Sequence, residues 1–123
     1  MTVTVADLLA YSLRKPGAVE DDPWGGDIVA KVGGKIFAFF GDPETGTKLG
    51  VKCGRNRDAA DEWVARYPQD VKPSSYIGRF GWNSLTVGGA IADEDLLEAV
   101  DTSYLEIVVR LPKRDRPAGY EKA

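Results

Sequence analysis

Residues 41–48 read GDPETGTK, which sets Gly41, Gly46, Thr47 and Lys48 at nearly the spacing of a phosphate-binding loop. Such a loop ends in Gly-Lys-Ser/Thr: backbone N–H groups cradle the phosphate, the lysine reaches its outer oxygens and the hydroxyl holds Mg²⁺. Here threonine and lysine are exchanged, Asp42 and Glu44 would repel an anion, and Pro43 has no N–H to offer. The next run, Lys48-Leu49-Gly50-Val51-Lys52-Cys53, alternates like a strand, whereas a phosphate loop must open a helix. GDPETGTK is therefore expected to be a hairpin loop.

Other reactive groups are few. The chain has one cysteine and no histidine, so Ser-His-Asp and Cys-His catalysis lack their base and zinc lacks its usual ligands. Cys53 is either a reactive thiol or, as is usual for a free cysteine, a small buried hydrophobe at a strand end. Glu20, Asp21 and Asp22 precede Pro23 and read as an exposed loop; Asp93, Glu94 and Asp95 suit the start of a helix. Neither acidic cluster has a recognisable partner. The expectation is a protein that is not an enzyme and uses no metal or cofactor.

The elements that must hold any binding group follow from the punctuation. Thr4, with Asp7 three residues on, predicts a capped helix over about 4–15 that stops at Pro16-Gly17. DIVAKV and KIFAFFG flank Gly33-Gly34 and predict a tight hairpin. Asn56 opens a second helix that ends at Pro68, Trp82–Val87 reads as a strand, and Leu96, Leu97, Val100, Tyr104, Ile107, Val108 and Leu111 recur at helical spacing up to Pro112. The result is an α+β, two-layer fold: an antiparallel sheet of about five strands with helices packed on one face, in the order α-β-β-β-α-β-β-α. Residues 1–114 form a single domain and 115–123 a polar C-terminal tail.

The chain has 123 residues, 28% of them charged, and a net charge of −3. An acidic chain of this kind lacks the basic excess of most nucleic-acid binders, so any such binding must rest on a local patch. No run of about 18 apolar residues and no basic-then-apolar leader occurs. No membrane partner and a cytoplasmic location are expected.

Two local patches qualify. A two-residue turn at Gly33-Gly34 pairs Lys31 with Ile36 and Val29 with Ala38, placing Val29, Lys31, Ile36, Ala38 and Phe40 on one face. If Lys48 and Lys52 share it, that face carries three lysines and an aromatic ring, a surface for stacking and phosphate contact; the alternative is a solvated face whose lysines serve solubility. The second patch is Tyr76-Ile77-Gly78-Arg79-Phe80-Gly81-Trp82-Asn83, a loop composition suited to gripping a planar or anionic group, with Trp24 as an opposite wall. The alternative is that Trp24 and Trp82 sit at the core edge and Arg79 pairs with a carboxylate such as Glu20.

Successive blocks also carry a resemblance: PGAVEDDPWG, KVGGKIFAFFG, LGVKC, RYP, SYIGRFGWNSL and DEDLLEAVDTSYLEIVVRLPK, over roughly residues 15–114, resemble the signature blocks of the MmcQ/YjbR family. The resemblance implies a secretion-chaperone-like α+β domain, a small cytoplasmic bacterial protein, and a DNA-binding label tied to a double-wing shape. Many members carry histidine in the stretch matching Ser75–Trp82; Tyr76 and Phe80 stand there in this chain, so no role of that histidine carries over. Three functions follow as expectations: a DNA-binding module, weak and patch-based; a protein that binds or sequesters a small planar molecule; or a protein-interaction module resembling a chaperone dimer. Lys31, Lys48, Lys52, Arg79, Trp82, Trp24 and Tyr76 are the binding candidates. The sequence leaves open whether the chain is a monomer or a dimer.

Overall fold

In the computed structural model, which describes residues 2–122, three helices cover one face of a six-stranded sheet. Helix α1 (Val5–Leu13) opens on the predicted capping box: Thr4 Oγ1 accepts from the Asp7 N–H at 3.1 Å, and Asp7 Oδ2 accepts from the Thr4 N–H at 2.9 Å. Helix α2 (Arg57–Arg66) is capped by Asn56, whose Oδ1 accepts from the Ala59 N–H. Helix α3 (Asp93–Val108) starts on three acids, which its N-terminal dipole favours, and ends four residues short of Pro112.

The strands are β1 (Val19–Asp21), β2 (Ile28–Val32), β3 (Lys35–Gly41), β4 (Lys48–Lys52), β5 (Val71–Pro73) and β6 (Trp82–Thr86). They lie in the order β1-β2-β3-β4-β6-β5, and every neighbouring pair is antiparallel. GDPETGTK joins β3 to β4 as a hairpin loop, as expected. The sixth strand is β1, inside the acidic stretch read as a loop: Val19, Glu20 and Asp21 pair with Lys31, Ala30 and Val29. Backbone pairing alone makes an edge strand of a segment that has no strand-like side-chain pattern.

Helix α3 lies across β3 and β4, with the Tyr104 ring edge-on to Phe37 at 5.2 Å. Phe37, Phe40, Leu49, Val51, Leu85, Leu96 and Val100 are wholly buried beneath the helices. Gly33 takes φ +57° in the β2–β3 turn, and a Cβ there would sit 2.5 Å from Leu111 Cδ1, so only glycine fits under the C-terminal segment. That segment folds back on the body: Tyr120 packs edge-on to Tyr104 at 5.6 Å, and Arg116 Nε donates to the Leu111 carbonyl.

Register decides which rings face outward. The β2–β3 ladder pairs Ala30 with Ala38 but Lys31 with Ile36, and Val29 with Phe39 but Ile28 with Gly41. Phe37 and Phe40 are thus the extra residues of two β-bulges, and each bulge shifts the inside–outside alternation by one. Val29 pairs with Phe39 rather than the expected Ala38, and Phe40 lies under the helices while Phe39 takes the open face. The first bulge also breaks the ladder to β4. Ser103 of α3 fills the gap: its Oγ donates to the Phe37 carbonyl at 2.6 Å and accepts from the Lys52 N–H at 2.9 Å.

Candidate functional site

Among the described residues no helix covers the second face of the sheet, and its centre is a row of cross-strand neighbours: Asp21, Val29, Phe39, Gly50, Ser84 and Lys72. Phe39 is the pivot. Trp24 stacks on it with ring centres 6.3 Å apart and planes 11° from parallel, while Trp82 meets it edge-on at 5.5 Å. A Cβ on Gly50 would lie 3.2 Å from Phe39 Cβ, so the missing side chain lets the phenyl group lean across β4. Trp24 remains 64% exposed. The three rings form a ledge open to solvent, with Phe39 filling the space between the two tryptophans.

The three predicted lysines share this face, as their register requires, but do not form one patch. Lys31 is bound to Asp21 at 3.0 Å, an interaction that holds the Asp21 carboxyl below its ordinary range. Lys48, at the other end of β4 from Lys52, donates to Thr86 Oγ1 at 2.7 Å. Lys52 is buried opposite Trp82 and donates to the Phe80 carbonyl. Burial, then the charge of Arg110, pushes the Lys52 ammonium below its ordinary pKa, against the opposing pull of Glu106.

Lys52 lies in a hollow of about 460 Å³ whose walls include Arg55, Phe80, Trp82 and Arg110. Arg110 is tied to Glu106 at 2.7 Å. Among the described residues the exposed Arg55 side chain has no ion pair. Arg79 stands 4.7 Å over the Phe80 ring and, among the described residues, has no carboxylate partner either, Glu20 included. Cations therefore outnumber anions here. Trp82 belongs both to this hollow and to the ledge, which makes the two continuous.

Arg57 holds the loop that carries Arg79. Its guanidinium donates to the Gly78 carbonyl at 2.7 Å, the Trp82 carbonyl at 3.2 Å and Asn83 Oδ1 at 2.6 Å, and it pairs with Asp61 at 2.7 Å. At the loop tip Tyr76 has φ +65°, and the Ile77 N–H donates to the Ser75 carbonyl at 2.7 Å, marks of a strained γ-turn. Tyr76 is 97% exposed and, among the described residues, its ring pairs with none of the ledge rings.

The structure thus brings together Lys52, Trp82 and, through Phe39 and Phe80, Trp24 and Arg79; Lys31, Lys48 and Tyr76 lie elsewhere on the same side. Phe39, Arg55 and Arg110 are additions to the sequence-derived set. A regional count of charge points to Arg55: residues 45–57 and 71–92 contain Lys48, Lys52, Arg55, Arg57, Lys72 and Arg79 and no acid. Arg110 has no such signal, because it sits beside Glu106 in sequence and reaches the hollow only through the length of α3. The acids near Trp24 serve the backbone: Asp22 Oδ1 accepts from the Gly26 and Asp27 N–H groups. Cys53 is buried and its thiol is pushed up to about 12 by desolvation, so it holds no thiolate at neutral pH.

The model of the YjbR family matches residues 13–106, a span that contains all six strands and most of α3. The chain belongs to the YjbR family. It is 27% identical over 116 residues to the uncharacterised protein YjbR of Escherichia coli K12, covering 93% of this chain and 95% of that one, and the O157:H7 protein matches equally. The crystal structure of Deinococcus radiodurans protein DR2400, a DUF419 domain, superposes with a TM-score of 0.80 at 24% identity, over 91% of this chain and 84% of the other. That likeness establishes the α+β fold of this YjbR chain. No helix among its described residues is long and apolar enough to cross a membrane. Arg110 lies beyond the matched span, so the hollow is built partly from residues outside the family model.

Proposed function

We propose that this protein binds DNA without chemistry of its own, stacking unpaired bases on the Trp24–Phe39–Trp82 ledge and holding the adjoining phosphates with Arg55, Arg79, Arg110 and Lys52. The observation that carries this reading is the continuity of an exposed aromatic ledge with a hollow in which cations outnumber anions. Stacking on a ring is tolerant of base identity and contributes about 1–3 kcal/mol per base, while phosphate contacts fix the backbone track. The net charge of −3 argues against binding spread over the whole surface, but charge acts locally within a Debye length of about 8–10 Å.

Fluorescence anisotropy of a labelled mixed-sequence oligonucleotide, single-stranded and duplex, tests it across a salt series. Four phosphate contacts predict a log K against log[salt] slope of about −3 for the single strand. Arg55→Glu and Arg79→Glu change exposed residues that hold no ion pair; each should weaken binding and make the slope shallower by about 0.7. Trp24→Ala should weaken binding with the slope unchanged. Absence of binding at low salt, or binding indifferent to all three changes, would refute the proposal; preference for the duplex would refute its stacking part.

A further inference from the structure

A second cavity lies on the same face, between the β3–β4 loop and the β5–β6 connection. It measures about 500 Å³, within the roughly 300–1,000 Å³ of small-molecule clefts. Gly50 gives it depth, since any side chain there would fill the space beside Phe39. The Phe39 ring and Ile77 supply apolar surface. Four hydroxyls, from Thr47, Ser74, Ser75 and Ser84, line it, and among the described residues none is hydrogen-bonded within the protein. Lys48, whose ammonium donates to Thr86 Oγ1, and Asp27, one of whose carboxylate oxygens accepts from the Gly41 N–H at 2.9 Å, also line it.

This lining selects a chemistry. Unbonded hydroxyls donate or accept as required, Lys48 only donates and Asp27 only accepts, so the rim can match a mixed edge of donors and acceptors. An aromatic wall beside that rim favours a flat partner. Both walls are held in place: the Gly46 N–H donates to the Asp42 carbonyl, the Val87 N–H to the Thr47 carbonyl and the Ser74 N–H to the Trp82 carbonyl. The segment that imitates a phosphate loop in sequence forms one of these walls, through Gly46, Thr47 and Lys48.

We infer that this cleft is a nucleobase pocket, which takes one flat heterocycle against Phe39 and reads its edge with the hydroxyls of Thr47, Ser74, Ser75 and Ser84. The base can arrive on a free nucleoside or as an unpaired residue of a bound strand; in the second form the inference rests on the DNA reading.

Chemical-shift mapping of the full ¹⁵N-labelled chain separates the sources. In the first arm the four deoxynucleosides, which carry no phosphate, are titrated and the amides of Gly46, Gly50, Ser75 and Ser84 are followed. In the second, an oligonucleotide with one base among abasic sites is compared with a fully abasic one. Saturable shifts at these amides in either arm support the pocket and identify its source, and nucleoside binding without oligonucleotide binding would leave the pocket standing while the DNA reading falls. Thr47→Val with Ser75→Ala removes two hydroxyls at exposed positions and should weaken binding about tenfold. Ser84→Leu should abolish it by filling the cleft, with the variant's own spectrum reporting its fold. If deoxynucleosides at millimolar concentration shift none of these amides and the base-bearing and abasic strands give the same map, the pocket is refuted.

Discussion

Arg57 is the residue on which the geometry of the basic loop depends, and removing it has a calculable effect. Arg57→Met keeps most of the aliphatic stem and deletes the fork that reaches the Gly78 and Trp82 carbonyls and Asn83 Oδ1. The ion pair with Asp61 contributes little, about 0.5 kcal/mol, because the aspartate side chain is 55% exposed. Water can reach the two part-buried carbonyls, so each costs about 0.5–1 kcal/mol to leave. Asn83 is wholly buried, its amide already donating to the Ala60 carbonyl, and orphaning its oxygen costs about 1–2 kcal/mol. The expected loss is about 3 kcal/mol.

Unfolding entropy of about 2.1 cal/mol/K per residue gives roughly 0.26 kcal/mol/K for the 123-residue chain, so Tm should fall by about 12 °C. Urea denaturation and a thermal scan measure both quantities, and Asp61→Asn, expected to cost no more than about 0.5 kcal/mol, isolates the ion pair. A loss under about 1 kcal/mol for Arg57→Met would show that water replaces the fork without penalty. An Asp61→Asn loss equal to it would show that charge pairing, not carbonyl capture, holds the loop. Either result refutes this account of how Arg79 and Phe80 are positioned.

Two further outcomes follow. Tyr76→Gly should raise stability by about 0.5–1 kcal/mol in urea denaturation, because relief of a positive φ in a side chain that touches almost nothing outweighs the extra flexibility of glycine in the unfolded chain; a loss would mean that the tyrosine makes contacts its exposure denies. Cys53 should give an alkaline signature: the thiol is protonated in both states below its ordinary 9.0, but above that the unfolded chain loses the proton while the folded one keeps it until about 12. Stability of the wild type relative to Cys53→Ala should therefore be constant below pH 9 and fall between pH 9 and 12 by up to about 1.4 kcal/mol per unit. A difference that stays flat through that window would show a solvated thiol.

Much of the fold was legible because its signals are local. The Thr4–Asp7 capping box, the Asn56 cap, the Gly33-Gly34 turn and the hairpin nature of GDPETGTK each depend on a few adjacent residues, and all took the expected form. What was not legible depends on partners distant in sequence. Val19–Asp21 is a strand because β2 offers it an edge, and nothing in Val-Glu-Asp announces that. The bulges at Phe37 and Phe40 break the two-residue period on which any assignment of faces rests, which exchanged Phe39 for Phe40 and concealed the centre of the ledge. Ser103 shows the same limit: a small polar residue in an apolar helical stripe, it completes a ladder between two strands about fifty and sixty-six positions away.

Charge gives the opposite lesson about averaging. A net of −3 conceals a division across the sheet: the β1–β2 end of the open face carries Asp21, Asp22 and Asp27, while residues 45–57 and 71–92, which include β4, β5 and β6, carry Lys48, Lys52, Arg55, Lys72 and Arg79 and no acid. The strand order sets these groups at opposite ends of one face, with the aromatic ledge between them. An extended polyanion meeting that face is drawn to the β4–β6 end and repelled from β1, so it would enter in one sense and bring its bases over Trp82 before Trp24. Lys31 lies on the acidic side, neutralised by Asp21, which makes it the lysine whose removal should matter least. Lys31→Met should therefore leave the affinity for single-stranded DNA and its salt slope where they were while Arg55→Glu lowers both. Equal effects from the two would mean that binding follows total charge, and the ledge would lose its place in the mechanism.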